Sequence, residues 1–375
     1  APVSAPQYNE NVAVLRIRPG AREGDPATVL ASPAGHGLEI RSTVRTGPAG
    51  GTANIDLSRL PGQQTLRIAG TVPAGGAQAI RTTSVDNPTL FFVRGLRDAL
   101  VDAGVRVEGD AVDIDDLEGY APSAGAKLIA SHGSAPLTEL GAYFMKVSQN
   151  LYGETFLKAM GRTSGRPGSL ATGRAVVRGV LETWDIPQTT YALFDGSGLS
   201  RYNEIHAWMI TRILRKMYED ERHRGWFLAA LPVAGHDGTL DRRMIGTELQ
   251  RAVQAKTGTI DNVSSLSGYV KATDGERLAF SIISNDVPST YRAKRIEDAI
   301  GIRLASFDRN NDRPMSVAPA KEKATKSSGR TALVRRGDTL QKIARRNGTT
   351  VAALQRANPG LTNPRLKAGR RIRLP

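Results

Sequence analysis

About one third of the way along this 375-residue chain the spacing of its apolar residues changes period, and that change limits the folds open to it. Up to about residue 125, apolar and polar positions alternate in short runs: Val12-Ala13-Val14-Leu15-Arg16-Ile17, Leu38-Glu39-Ile40 and Thr65-Leu66-Arg67-Ile68-Ala69. A period of two, broken repeatedly by Gly and Pro, predicts short antiparallel strands, because successive side chains on a strand point to opposite faces. One helix interrupts them. Asn87-Pro88 supplies a start, Leu90, Phe91, Leu96, Ala99 and Leu100 an apolar stripe, and Ala103-Gly104 a stop. Val105-Arg106-Val107 then reads as a strand. From residue 137 to 160 the spacing becomes threes and fours, through Leu137, Leu140, Met145, Val147, Leu151, Phe156, Leu157 and Met160, which predicts helix. Further helices are expected at 173–183 and 203–218. Alternation returns over 264–284 around the turn Thr273-Asp274-Gly275, predicting a hairpin, and a helix at 293–306 is expected to pack across it.

The class is therefore α+β: a strand-rich domain at 1–125 and a mixed lobe at 126–309. Residues 310–330, rich in Pro, Ala, Lys and Ser without periodicity, read as a flexible linker. Residues 331–375 read as a small βααβ block. So short a block has little core, so Leu333, Leu340, Ile343, Ala344, Val351, Leu354 and Ile372 are expected to carry it. No apolar run approaches the ~20 residues of a membrane span, and no basic-then-apolar leader begins at Ala1, so any targeting segment is expected to lie outside this sequence. With no cysteine, disulfides, thiolate catalysis and Cys-based zinc sites are excluded. The net charge of +15 is local. Residues 313–375 hold 16 Lys and Arg against Glu322 and Asp338, leaving 35 cations and 34 anions for the first 312 residues. Such a tail suits a polyanion. The absence of aromatics after Phe307 argues against nucleic acid, where stacking platforms are expected, and favours the wall glycan.

Two constellations carry chemistry. Ser148-Gln149-Asn150 in the helical segment and Lys256-Thr257-Gly258-Thr259 opening the hairpin match the S-x-N and K-T-G elements of serine penicillin-binding enzymes. Ser134-Ala135-Pro136-Leu137, the run Ser148 to Glu154 (SQNLYGE), Asp195 to Ser200 (DGSGLS) with Arg201 and Asn203, and Gly235 to Arg243 (GHDGTLDRR) accompany them in order. Over roughly residues 8–309 the chain resembles the low-molecular-weight class C D-alanyl-D-alanine carboxypeptidases with endopeptidase activity. That resemblance implies a penicillin-binding/serine β-lactamase-like transpeptidase lobe with a strand-rich insert. It also implies acyl transfer on peptidoglycan stem peptides, with β-lactams as inhibitors. By the same resemblance Ser148 relays a proton to the leaving amine, Asn150 holds the substrate amide and Lys256 supplies positive potential. Thr257 and Thr259 grip the terminal carboxylate beside Gly258, and the Thr259 N–H is one oxyanion donor. Gln149 stands where Asp is commoner. The family's nucleophile lies in an S-x-x-K motif. No Ser in this chain is followed three residues later by Lys, and Ser123 and Lys127 are four apart. The family places that motif ahead of the insert, so the expectation is a partial lobe, marginally stable alone, whose nucleophile belongs to a preceding segment.

The second constellation is Val334-Arg335-Arg336-Gly337-Asp338-Thr339-Leu340, with Ile343-Ala344, Val351, Leu354, Asn358-Pro359 and the closing stretch 369–374. It is similar to a LysM module, which implies glycan binding in a groove between Gly337, Asp338, Thr339 and Leu340 on one side and Asn358, Pro359, Gly360 and Leu361 on the other. Ser197 in Gly196-Ser197-Gly198 reads as a turn residue, and His36, His132, His206, His223 and His236 show no metal spacing. No metal and no cofactor are expected. The expected partners are stem peptides and glycan strands, in the periplasm or cell wall. Three readings remain open: an enzyme acting on peptidoglycan, a non-catalytic wall-binding protein using LysM and a remnant cleft, or a fragment completed by a separate N-terminal chain.

Overall fold

The structure, a computed structural model, describes residues 2–119, 125, 127–309, 331–334, 338–358, 366 and 369–374. The chain divides into two compact units, residues 1–312 and 313–375. Residues 310–330, the expected linker, lie outside the described part.

The first unit begins with strands β1 (Val12–Arg18), β2 (Thr28–Ser32), β3 (Glu39–Ser42), β4 (Arg45–Gly47), β5 (Asn54–Ser58), β6 (Thr65–Pro73) and β7 (Ala79–Ser84). They form two sheets, ordered β2-β1-β7 and β3-β6-β4, with β5 also pairing β6. The alternation read in the sequence appears as burial: Ala13, Leu15 and Ile17 from β1 and Leu66, Ile68 and Val72 from β6 fill the shared core with Val44. One expectation fails. β3 and β4 both pair β6 in parallel, not antiparallel. Alternation fixes which face a strand buries and says nothing of the direction of its neighbour.

Helix α1 (Pro88–Asp102) starts at the expected place, its N-cap Asn87 accepting from Leu90 N. The strand expected at 105–107 does not form. Val105 is exposed, and Arg97 Nε donates to Gly109 O, which holds the segment beside α1 instead of along a sheet edge.

The helical stretch from residue 137 is two helices, α2 (Leu137–Val147) and α3 (Asn150–Thr163), meeting at a corner on Ser148. α4 (Leu170–Thr183) begins with a Ser169/Thr172 capping box. It packs on α3 so tightly that a Cβ on Gly173 would lie 1.8 Å from Leu157 O. Gly173→Ala is therefore expected to push the two helices apart and cost about 1–3 kcal/mol, read as a lower urea midpoint with unchanged slope. α5 (Ala207–Glu219) follows, then α6 (Glu221–Ala230), a helix absent from the sequence reading.

Strands β8 (Val253–Ile260), β9 (Val263–Lys271) and β10 (Arg277–Ser284) form an antiparallel sheet ordered β10-β9-β8. Helix α7 (Thr290–Ala305) packs on β9 and β10. The hairpin turn at 273–275 is as expected, but Lys256-Thr257-Gly258 lies within β8 instead of ahead of the first strand. Val253, Ala255, Leu266, Val270 and Phe280 face a core shared with Ala305, Leu240 and Leu249. On the other face Tyr269 packs with Leu214 of α5 and Leu231, and donates to Leu214 O at 2.6 Å.

The second unit contains β11 (Thr331–Leu333), α8 (Leu340–Arg346), α9 (Val351–Ala357) and β12 (Arg371–Arg373), with β11 antiparallel to β12. Leu340, Ile343, Ala344, Leu354 and Ile372 are buried as expected, and Val351 packs against them. Leu333 does not join them. It is 50% exposed, and its neighbours Ala332 and Val334 are buried instead. The strand's alternation puts 332 and 334 on one face and 333 on the other. Among the described residues no helix is long and apolar enough to cross a membrane.

Candidate active site

Ser148 occupies the corner where α2 ends. Its φ of 58° and ψ of 48° are left-handed, a conformation that costs a side-chain-bearing residue about 1–2 kcal/mol. Its N–H caps Phe144 O. Gln149 is then the N-cap of α3 and accepts from Leu151 N, so the chain leaves one helix and enters the next within two residues without Gly or Pro. Asn150 opens α3 at the surface.

Opposite the corner lies β8. Lys256 projects from the strand on the face away from buried Val253 and Ala255, and its Nζ donates to Ser148 Oγ at 2.6 Å and to Thr257 O at 2.9 Å. Burial pushes the Lys256 ammonium down to about 8, with no carboxylate among the described residues beside it to hold it charged. Thr257 Oγ1 donates to Thr239 Oγ1 at 2.7 Å. Gly258 and Thr259 continue the strand, paired with Ser265 and Ser264 of β9. Thr259 is exposed. The structure thus joins Ser148 to Lys256 across 108 residues of sequence, with Thr257, Gly258 and Thr259 following Lys256 along the same strand. The Asn150 side chain enters no hydrogen bond among the described residues.

Three residues that sequence reasoning missed hold this geometry. Lys146, two residues before Ser148, donates to both oxygens of Asp237 at 2.8 and 2.7 Å and to Leu231 O at 2.7 Å. Asp237 also accepts from Val233 N. Gly238, at φ 58°, sits so close that a Cβ would be 2.6 Å from Lys146 O. This bracket ties the last turn of α2 to the segment that carries Thr239 to Thr257. The signal was the phrase Gly235 to Arg243, noted for likeness and given no physical role. A similar clamp fixes the loop at 195–203, where Asp195 accepts from Gly198 N, Ser200 N and Asn203 Nδ2. Ser197 is a turn residue there, its Oγ facing Asp195.

In the second unit Thr339 is the N-cap of α8, accepting from Lys342 N, and Leu340 is buried in the core, so its side chain packs inward instead of lining a groove. Asp338 pairs with Arg346 at 2.8 Å. Asn358 donates to Leu354 O and Arg373 O and accepts from Arg373 N, binding the end of α9 to β12. Gly337, Pro359, Gly360 and Leu361 lie outside the described residues.

Residues 1–307 match the D-Ala-D-Ala carboxypeptidase 3 (S13) family. The chain belongs to that family. Residues 333–375 match the LysM domain. Among curated relatives of this S13 chain, the D-alanyl-D-alanine carboxypeptidase of Actinomadura sp. is 34% identical over 307 residues, which is 80% of this chain and 56% of that protein. Penicillin-sensitive carboxypeptidase A of Dictyostelium discoideum is 32% identical over 235 residues, 60% of this chain and 44% of that protein. The chain therefore spans about half the length of the curated relatives it matches. The crystal structure of penicillin binding protein 4 from Haemophilus influenzae matches with a TM-score of 0.68 at 22% identity, covering 80% of this chain and 67% of that one, and shows the fold to be the penicillin-binding one.

Proposed function

We propose that the S13 part of this chain supplies the proton-relay and carboxylate-gripping half of a serine D-alanyl-D-alanine carboxypeptidase or endopeptidase site acting on peptidoglycan stem peptides. The LysM domain would hold it on the glycan in the periplasm or cell wall. The observation that carries this reading is the 2.6 Å contact between Lys256 Nζ and Ser148 Oγ, made by a lysine with no acidic partner among the described residues. A hydroxyl hydrogen-bonded to a lysine of lowered pKa can pass a proton to a leaving amine. The same ammonium, on the strand that also carries Thr257 and Thr259, favours a terminal carboxylate, the group that D-alanyl peptides and β-lactams share.

The sequence contains no S-x-x-K, which favours a second reading, that the chain alone binds peptidoglycan without covalent catalysis. One pair of measurements separates the readings. The full chain is incubated with fluorescent penicillin with and without excess unlabelled drug, and its equilibrium binding to a D-Ala-D-Ala-terminated peptide is measured for the parent and Lys256→Ala. The expected result is no competed covalent label, with peptide binding weakened at least about tenfold by Lys256→Ala. Binding that Lys256→Ala leaves unchanged overturns the site. Competed covalent labelling reveals a nucleophile in this chain and overturns the second reading.

A further inference from the structure

One strained element has no role in the site so far described. Asn9, Glu10 and Asn11 are consecutive and all left-handed, with φ of 48°, 52° and 54°. Each such residue raises the backbone energy, Asn least, and a run of three persists only where the surroundings impose it. The surroundings here are rigid. Asn11 is completely buried, its Nδ2 donating to Pro2 O and its backbone carbonyl accepting from Val85 N. Asn9 Nδ2 donates to Val12 O, and the ring of Tyr8 packs on Phe91 with centroids 5.0 Å apart.

What the turn achieves is the placement of Glu10. Its carboxylate accepts from Gln149 Nε2 at 2.5 Å, across 139 residues of sequence. The Tyr143 hydroxyl faces the same carboxylate, which holds the phenol above its usual range. Tyr152, whose ring stands 5.3 Å from that of Tyr143, lies in the same field. Tyr143 is on the last turns of α2 and Gln149 caps α3, so the two groups at Glu10 flank Ser148 in sequence. The choice of Gln at 149 follows: a carboxylate there would meet Glu10 at hydrogen-bond distance and repel it.

We propose that Glu10 is a positioning residue for the Ser148–Lys256 pair: by holding Gln149 and Tyr143 together across the α2–α3 corner, it keeps Ser148 in the left-handed conformation that aims its Oγ at Lys256. The proposal rests on reading Ser148 and Lys256 as the working pair. A loosened corner admits water to Lys256, and a hydrated lysine titrates higher.

The test uses the full chain and reads how the acylation of Lys256 by acetic anhydride depends on pH, by peptide mass spectrometry. The parent is expected to show a midpoint of about 8. Glu10→Ala and Gln149→Leu should each raise it by about one unit or more. Simple removal of the Glu10 charge predicts the opposite sign, since a lost anion lowers a lysine's pKa. Glu10→Gln keeps an acceptor for the Gln149 amide and should stay close to the parent. If Glu10→Ala unfolds the protein, as judged by its melt, Gln149→Leu decides alone. A midpoint at or below that of the parent in the folded variants overturns the proposal. A parent midpoint near 10.5 instead overturns the site reading on which it rests.

Discussion

Replacing Glu297 by Ala is expected to lower the unfolding free energy of the first unit by about 3–5 kcal/mol, the loss typical of breaking a buried ion pair from one side. Glu297 on α7 is completely buried. One carboxylate oxygen accepts from Ser264 Oγ at 2.6 Å, and the other from Arg243 Nη2 at 2.9 Å. That nitrogen also reaches Asp298 at 2.5 Å and Lys294 O at 3.2 Å. Arg243 is 13% exposed in its side chain, and its Nε and Nη1 are buried without partners among the described residues. Deleting Glu297 takes from Arg243 Nη2 its fully buried carboxylate, leaving Asp298 and Lys294 O, and orphans the buried Ser264 hydroxyl, and each uncompensated group costs its desolvation. Asp298 is 29% exposed, so Asp298→Ala should cost clearly less. Trp184, Trp208 and Trp226 are the chain's three tryptophans and all lie in the first unit, so tryptophan fluorescence during urea unfolding reports this unit alone. A loss below about 1 kcal/mol for Glu297→Ala would show that the network carries no weight. Ser264 pairs with Thr259 across β8 and β9, so the same network underlies the end of the site strand.

Arg243 belongs to a phrase legible in the sequence, yet its partner Glu297 was not, and the contrast recurs through the molecule. Local periodicity located the core of β1, the cap of α1, the hairpin at 273–275 and most of the LysM core, because each depends on neighbours a few residues apart. The motifs at 148–150 and 256–259 were legible as chemistry. The corner between α2 and α3 was not, because the run Lys146-Val147-Ser148-Gln149 contains no Gly or Pro and both helices keep the same spacing of apolar residues. α6 was hidden by a charged first turn, Glu221-Arg222-His223-Arg224, followed by Gly225. The groups that hold the site together, Lys146 with Asp237 and Glu10 with Gln149, are 91 and 139 residues apart. No pattern in one sequence pairs them. They become visible only when the fold has brought them within hydrogen-bond distance.

Lys256 should give the site a thermodynamic signature in the alkaline range. Its folded pKa of about 8 lies below the 10.5 of an unburied lysine. Below pH 8 both states hold the proton, and the folded state bears the whole cost of burying the charge, about 3 kcal/mol for a shift of this size. Between pH 8 and 10.5 the unfolded chain binds the proton that the folded chain has released, so stability rises with pH through this window. Tyr143, Tyr152, Tyr191 and Tyr269 all titrate above their usual range in the fold, chiefly through burial and, for Tyr143, first through Glu10. Their effect has the opposite sign and begins near pH 10, where unfolded phenols ionise first. The lysine's contribution is therefore separable between about pH 8 and 10. Lys256→Met, which keeps an apolar stem and removes the charge, is expected to be more stable than the parent at pH 7, with the gap closing as pH approaches 10. Urea midpoints of both proteins at pH 7, 8, 9 and 10 measure this, and parallel curves would show that Lys256 is solvated and unstrained. A buried cation that destabilises the fold is one that an anion can stabilise, so a D-Ala-D-Ala peptide should raise the parent's midpoint most at pH 7 and least at pH 10, and leave Lys256→Met nearly unmoved.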